Sequence, residues 1–147
     1  MTRLLCLAIL ATLIAGPGAA WTYAPKGDLC RLLHDEPQAR VTVTYDPGAE
    51  LYAIAIERYM ATWPEAPVFS IAFEGARGLT ISTDRHVLSK GRAAVTVTDT
   101  GFGNVLDGIE FNSHATARLG PESVRVDLVG AAPEVAKFRA CTEQLTA

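Results

Sequence analysis

The sequence predicts a mainly β fold, an antiparallel sandwich or barrel of about eight to nine short strands accompanied by two helices. Three observations carry that expectation. Short runs such as RVTVTY (40–45) and AAVTVT (93–98) alternate apolar and polar residues, a period of two that turns one face to a core and the other to water. Turn signals separate the runs, among them Asp46-Pro47-Gly48 and Gly120-Pro121-Glu122, where glycine and proline punctuate the chain. Helical spacing of apolar residues is confined to two places, near 102–110 and near 132–145, and many close-spaced strands with few helices describe a sandwich or barrel.

Taken in order, Trp21-Thr22-Tyr23 is a short candidate strand closed by Pro25-Lys26-Gly27-Asp28. Cys30 to His34 is the next, followed by a turn at Asp35-Glu36-Pro37. In 40–45, Val41, Val43 and Tyr45 share one face and Thr42 and Thr44 the other. Glu50 to Arg58 admits a helix, but its β-branched and aromatic residues and its flanking turns favour a strand with Tyr52, Ile54 and Ile56 on one side. Residues 60–67 (MATWPEAP) hold two prolines and read as a loop, with Trp63 laid over a core edge. Pro67 to Phe73 returns to strand, with Phe69, Ile71 and Phe73 together.

The stretch from Gly78 to Phe111 gathers most of the residues able to carry chemistry. Leu79 to Ser82 is a strand with Leu79 and Ile81 inward, Thr83-Asp84-Arg85 turns, and His86-Val87-Leu88 is a short strand. After a turn at Ser89 to Arg92, Ala93 to Thr98 forms the next strand, with Val95 and Val97 inward. Phe102, Val105, Leu106 and Ile109 then fall on one face of a short helix. Ala115 to Leu119 and Val124 to Leu128 complete the strands. Ala131 to Leu145 reads as a helix with Pro133 in its first turn and Val135, Phe138 and Cys141 on one face.

Residues 1–20 have the form of a secretory signal peptide. Arg3 supplies the positive start, Leu4 to Ala15 the apolar run, and Gly18-Ala19-Ala20 the small residues before Trp21. The apolar run is shorter than the roughly 18–20 residues that span a bilayer, and Cys6 precedes most of it, whereas a lipid-bearing cysteine would follow it. The expected mature chain, residues 21–147, is one disulfide-linked β-rich domain without an integral membrane span. Cys30 and Cys141 remain in it, and an even count in an exported chain reads as a disulfide. No C-x-x-C motif accompanies them, so the pair reads as structural rather than redox-active.

Without Arg3 the 13 basic residues become 12 against 16 acidic ones, a net charge of −4. The basic residues are scattered singly, which argues against nucleic acid as a partner, since phosphate binding needs clustered Lys and Arg. His34, His86 and His114 are far apart and lack zinc-ligand spacing. His86 beside Asp84 is a candidate acid–base pair, with Glu110 a third candidate. The competing reading is a turn aspartate capping its own backbone beside a surface histidine. Asp99-Thr100-Gly101-Phe102-Gly103-Asn104 follows a strand and opens a helix, as phosphate loops do. Leu106 stands where the dinucleotide fingerprint needs its last glycine, and no G-K-[ST] occurs. A glycine turn with Phe102 buried is the simpler reading. No cofactor motif is present, and no serine sits in a G-x-S-x-G elbow.

The segments WPEAPVF (63–69), GLTISTDRH (78–86), TDTGFGNVLDGIEF (98–111) and GAAPEVAKFRAC (130–141) resemble a small family of exported proteins from Gram-negative bacteria. Some members of that family carry the label of the helicase-like component of the ABC excinuclease. That label implies a large, cytosolic, ATP-dependent protein, whereas this chain is short and acidic, opens with an export signal and has no Walker A lysine. More distantly, the last strand, helix and cysteine resemble the invasion-associated locus B proteins, which implies a periplasmic or surface-linked β protein. Neither resemblance brings catalytic residues with it.

The expectation is therefore a non-catalytic periplasmic or secreted β-domain that binds an envelope protein or a small ligand. The alternative is a small hydrolase-like periplasmic enzyme using Asp84 and His86.

Overall fold

The computed structural model describes residues 20–147; the expected signal peptide lies almost wholly outside the described residues. Among the described residues ten strands and two helices follow one another. β1 (Thr22–Tyr23), β2 (Cys30–Glu36), β3 (Ala39–Asp46) and β4 (Leu51–Arg58) are joined with β7 (Val87–Ser89) and β8 (Ala94–Asp99) in a six-stranded antiparallel sheet of order β1-β2-β3-β4-β8-β7. β5 (Phe69–Gly75), β6 (Leu79–Thr83), β9 (Asn112–Leu119) and β10 (Glu122–Asp127) form a second sheet of order β10-β9-β5-β6. Helix α1 (Gly103–Phe111) links β8 to β9, and α2 (Ala132–Thr146) ends the chain.

The predicted alternation is what fills the space between the sheets. Leu32, Val41, Val43, Ile54, Ile56 and Val95 from one sheet meet Phe69, Ile71, Phe73, Ala117, Leu119 and Val124 from the other. Glu50 to Arg58 is a strand from Leu51 onward, as its β-branched content indicates. The two-residue strand β1 pairs with β2 through Thr22↔Leu33 and Tyr23↔Leu32. The turn expected at Asp35-Glu36-Pro37 falls one step later, because Asp35 and Glu36 pair with Arg40 and Ala39.

Trp63 departs from expectation. It does not lie over an edge but is fully buried, donating from Nε1 to the Ile56 carbonyl at 3.0 Å and meeting Phe69 edge-on. At one end of the sandwich Tyr45, Tyr52, Phe102 and Phe138 form an aromatic plug between the six-stranded sheet and the two helices. Arg139 of α2 bonds Asp107 (2.6 Å) and Glu110 (3.2 Å) of α1. Gly108 lets α1 approach the second sheet: a Cβ there would stand 2.6 Å from the Phe73 ring.

Cys30 and Cys141 are bonded, with Cα atoms 6.0 Å apart and a sequence separation of 111. The bridge joins the start of β2 to the buried face of α2. Glu134 ties the same helix to β1, accepting the Tyr23 N–H at 2.7 Å and Lys137 Nζ at 2.8 Å. The lysine first, then the backbone N–H, holds its carboxyl below the ordinary carboxylate value of 4.5.

Three outcomes follow. Replacing both bridging cysteines by alanine lowers unfolding free energy by roughly 2–4 kcal/mol in a urea titration, the usual cost of losing a long-loop disulfide. Gly108→Ala destabilises by about 1–3 kcal/mol through overpacking against Phe73, outweighing the ~1 kcal/mol by which alanine favours a helix; a more stable variant in thermal unfolding would show that Phe73 moves freely. Because the Glu134 pKa is lowered on folding, its stabilisation is present above the unfolded value and fades as pH falls through the folded one. Glu134→Gln therefore costs about 1 kcal/mol at pH 7, and the gap to the wild type closes below pH 4.5.

Candidate ligand-binding cleft

The two sheets do not close equally on all sides. On the side of β6 and β8 a cleft of about 180 Å³ opens between them. Its floor is Ile54, Phe69, Ile71, Ile81 and Val97, and Phe102 and Val105 of the α1 start wall one end. Apart from Ile54, Phe69 and Ile71, every lining residue lies within the stretch from Gly78 to Phe111.

The origin of the cleft is a matter of strand register. β7 pairs with β8 only through Val87↔Thr96, Leu88↔Val95 and Ser89↔Ala94. Continuing that ladder would set His86, Arg85 and Asp84 opposite Val97, Thr98 and Asp99. Those three residues instead carry the chain from β6 in one sheet to β7 in the other. Facing sheets pack about 10 Å apart, and the four Cα steps from Thr83 to Val87 reach at most about 14 Å, so the crossing leaves almost no slack for pairing. Val97, Thr98 and Asp99 thus keep β4 on one side and, among the described residues, have no strand on the other.

Polar groups gather at the mouth. Arg85 Nη2 lies 3.4 Å from Asp99 Oδ2, and its side chain is 72% exposed. The Arg85 N–H donates to Thr83 Oγ1 at 3.1 Å, and Asp99 Oδ1 accepts the Thr100 N–H at 2.7 Å. Ser82 and Asn104 complete the rim. The cleft therefore has an apolar floor, a weakly paired ion pair at its lip and neither histidine nor cysteine in its lining.

The sequence candidates are not assembled there. Asp84 is exposed, and among the described residues no hydrogen bond or ion pair joins it to His86. His86 is not the surface strand residue expected: it precedes β7, is partly buried with its ring 6.3 Å from Phe69, and its buried Nδ1 has no partner among the described residues. The cause is the crossing, which draws residue 86 inward as the chain passes between sheets. Glu110 lies on α1, bonded to Arg139.

Two histidine clusters escaped sequence reasoning, because each joins segments distant in the chain. His114 contacts Ser113 Oγ through Nδ1 and the Glu74 carboxylate through Nε2. It superficially resembles a nucleophile triad, but the Ser113 hydroxyl donates to the Glu74 carbonyl at 2.9 Å and Ser113 is exposed outside the cleft. His34 is buried, stacked on Trp21 with ring centroids 4.8 Å apart, and bonded to Glu36 Oε1 at 2.9 Å. Glu36 in turn accepts the Asp127 N–H, and Trp21 Nε1 donates to the Asp127 carbonyl at 2.8 Å, so this cluster fastens β10 to β1 and β2. Among the described residues no group of three or more His, Cys, Asp or Glu is arranged to hold a metal ion. No helix among them is long and apolar enough to cross a membrane.

No family model, curated protein or solved structure matches the chain.

Proposed function

We propose that this chain is a non-catalytic periplasmic binding domain whose site is the cleft between β6 and β8. One observation carries the reading: an apolar floor left uncovered between two otherwise well-packed sheets, with Arg85, Asp99, Ser82 and Asn104 on its rim. Apolar concavities with a few polar groups at the lip are the usual form of a ligand site. The Cys30–Cys141 pair supports an oxidising compartment, as does the export signal read in residues 1–20. The hydrolase-like alternative gains nothing from the placement of Asp84 and His86. The one carboxylate lining the cleft, Asp99, is engaged by Arg85 and the Thr100 N–H.

Size decides what kind of group enters. Drug-sized ligands occupy roughly 300–1,000 Å³, whereas an apolar cavity of about 150 Å³ suffices for benzene. At about 180 Å³ the cleft takes one ring-sized or branched apolar group, with the remainder of the ligand outside.

Small aromatic compounds of about eight heavy atoms are expected to bind with Kd near 1 mM, at roughly −0.5 kcal/mol per atom, as read by ligand-observed NMR. Val97→Phe fills the floor and weakens them at least tenfold. Thr98→Ala, on the opposite exposed face of β8, leaves them unchanged. Equal binding by the Val97→Phe protein would remove the cleft as the site.

A further inference from the structure

We propose that the ligand is an extended peptide segment of a partner protein, which adds as a strand to the free edge of β6 and sends one apolar side chain into the cleft. The inference rests on the cleft being the binding site and specifies its occupant. The argument begins with the sheet edges. An unpaired edge strand offers N–H and C=O groups to any passing strand, and proteins blunt such edges with charge, brevity, bulges or cover. Among the described residues three of the four outermost strands are blunted, and the short unpaired flank of β8 at 97–99 ends in a charge. β1 is two residues long and pinned by Glu134. β7 is three residues long and runs into Lys90. β10 carries Glu122, Arg125 and Asp127, with both backbone groups of Asp127 taken by Trp21 and Glu36. β6 has none of these features. Its five residues, LTIST, hold no charge, proline or glycine and pair with β5 in unbroken register.

The open edge and the cleft are also aligned. Leu79, Ile81 and Thr83 face inward with Ile81 in the cleft wall, while Thr80 and Ser82 are exposed. A residue directly opposite Ile81 on an added strand would share its face and enter the cleft, with its neighbours directed to solvent. Main-chain pairing with a pocket for an alternate side chain is how edge-binding domains recognise extended peptides. The cleft holds one ring-sized group, the size of a single side chain. A second copy of this chain is a poor occupant, because the inward residues of its own β6 already line its own cleft.

The test uses the mature chain, residues 21–147, with its disulfide intact, and a displayed library of random ten-residue peptides as probe. Enriched peptides are expected to share one aromatic or large aliphatic residue. Alanine at that position weakens binding at least tenfold, and the Val97→Phe protein loses the peptide to a similar extent. An N-methyl scan of the peptide gives losses with a period of two, because only alternate peptide N–H groups face β6. Hydrogen exchange shows new protection at β6 amides. Uniform tolerance of N-methylation, or protection at β10 or β1 instead, overturns the proposal. So does concentration-dependent dimerisation that protects β6 without peptide, which assigns the edge to a second copy. If aromatic compounds bind and respond to Val97→Phe but no peptide is enriched, the peptide falls and the cleft stands. If neither binds, both readings fall.

Discussion

A two-sheet sandwich is held by what lies between its sheets, and that space must be shut off from water along every open side. Strand alternation supplies the apolar rows but does nothing for the sides and ends. The remaining features of this chain are best understood as closures of that space. Helices α1 and α2 stopper one end with Phe102 and Phe138 against Tyr45 and Tyr52, and the Cys30–Cys141 bridge binds the second of them to the six-stranded sheet. The proline-rich crossing between β4 and β5 inserts Trp63 fully into the core. Trp21 and His34 shut the side where β10 meets β1 and β2.

Most of the buried polar groups in these closures are satisfied, as burial requires, although among the described residues His34 Nδ1 has no partner. The Trp63 indole N–H has the Ile56 carbonyl, and the Trp21 indole N–H has that of Asp127. Asn112 bridges the turn after β5 and the end of α1, accepting the Arg77 N–H and donating to the Arg77 and Gly108 carbonyls. The turn from β7 to β8 places Lys90, Gly91 and Arg92 in succession at positive φ, which costs a side-chain-bearing residue about 1 kcal/mol or more. Backbone bonds from Trp63 N to the Arg92 carbonyl and from Arg58 N to the Ala93 carbonyl hold that turn under the β4–β5 crossing. Local strain is thus tied to the closure that seats Trp63.

The strands were legible because alternation is a local property, and RVTVTY or AAVTVT announces its faces without knowledge of its neighbours. The two helices and the disulfide were legible for similar reasons, resting on spacing and cysteine parity. What remained hidden is non-local. Nothing in MATWPEAP says that its tryptophan finds the Ile56 carbonyl. Nothing around His34 announces Trp21 and Asp127, and Lys90 and Arg92 have no composition that calls for a left-handed turn. The floor of the cleft was legible as core, since Leu79, Ile81, Val95 and Val97 were all read as inward-facing. That Val97 would be left without an outer neighbour depended on where β7 begins, which no local pattern announces because it turns on the register between β7 and β8.

The open side is therefore better viewed as a consequence of connectivity than as a defect of packing. Residues 84–86 can either cross between sheets or extend β7 along β8, but not both. Extension would set Asp84 beside Asp99, two carboxylates opposed across a ladder, a pairing that destabilises a sheet. Crossing instead brings Arg85 to Asp99 and leaves Val97 to Asp99 paired with β4 on one flank and unpaired on the other, while uncharged β6 edges the facing sheet. Asp84 and His86, which first suggested an acid–base pair, thus act with Arg85 through the backbone path they take. By leaving one ladder unfinished they leave an apolar floor uncovered, with the unpaired flank of β8 and the edge of β6 beside it. This is the geometry in which main-chain pairing and a side-chain anchor can be supplied together by a single extended segment.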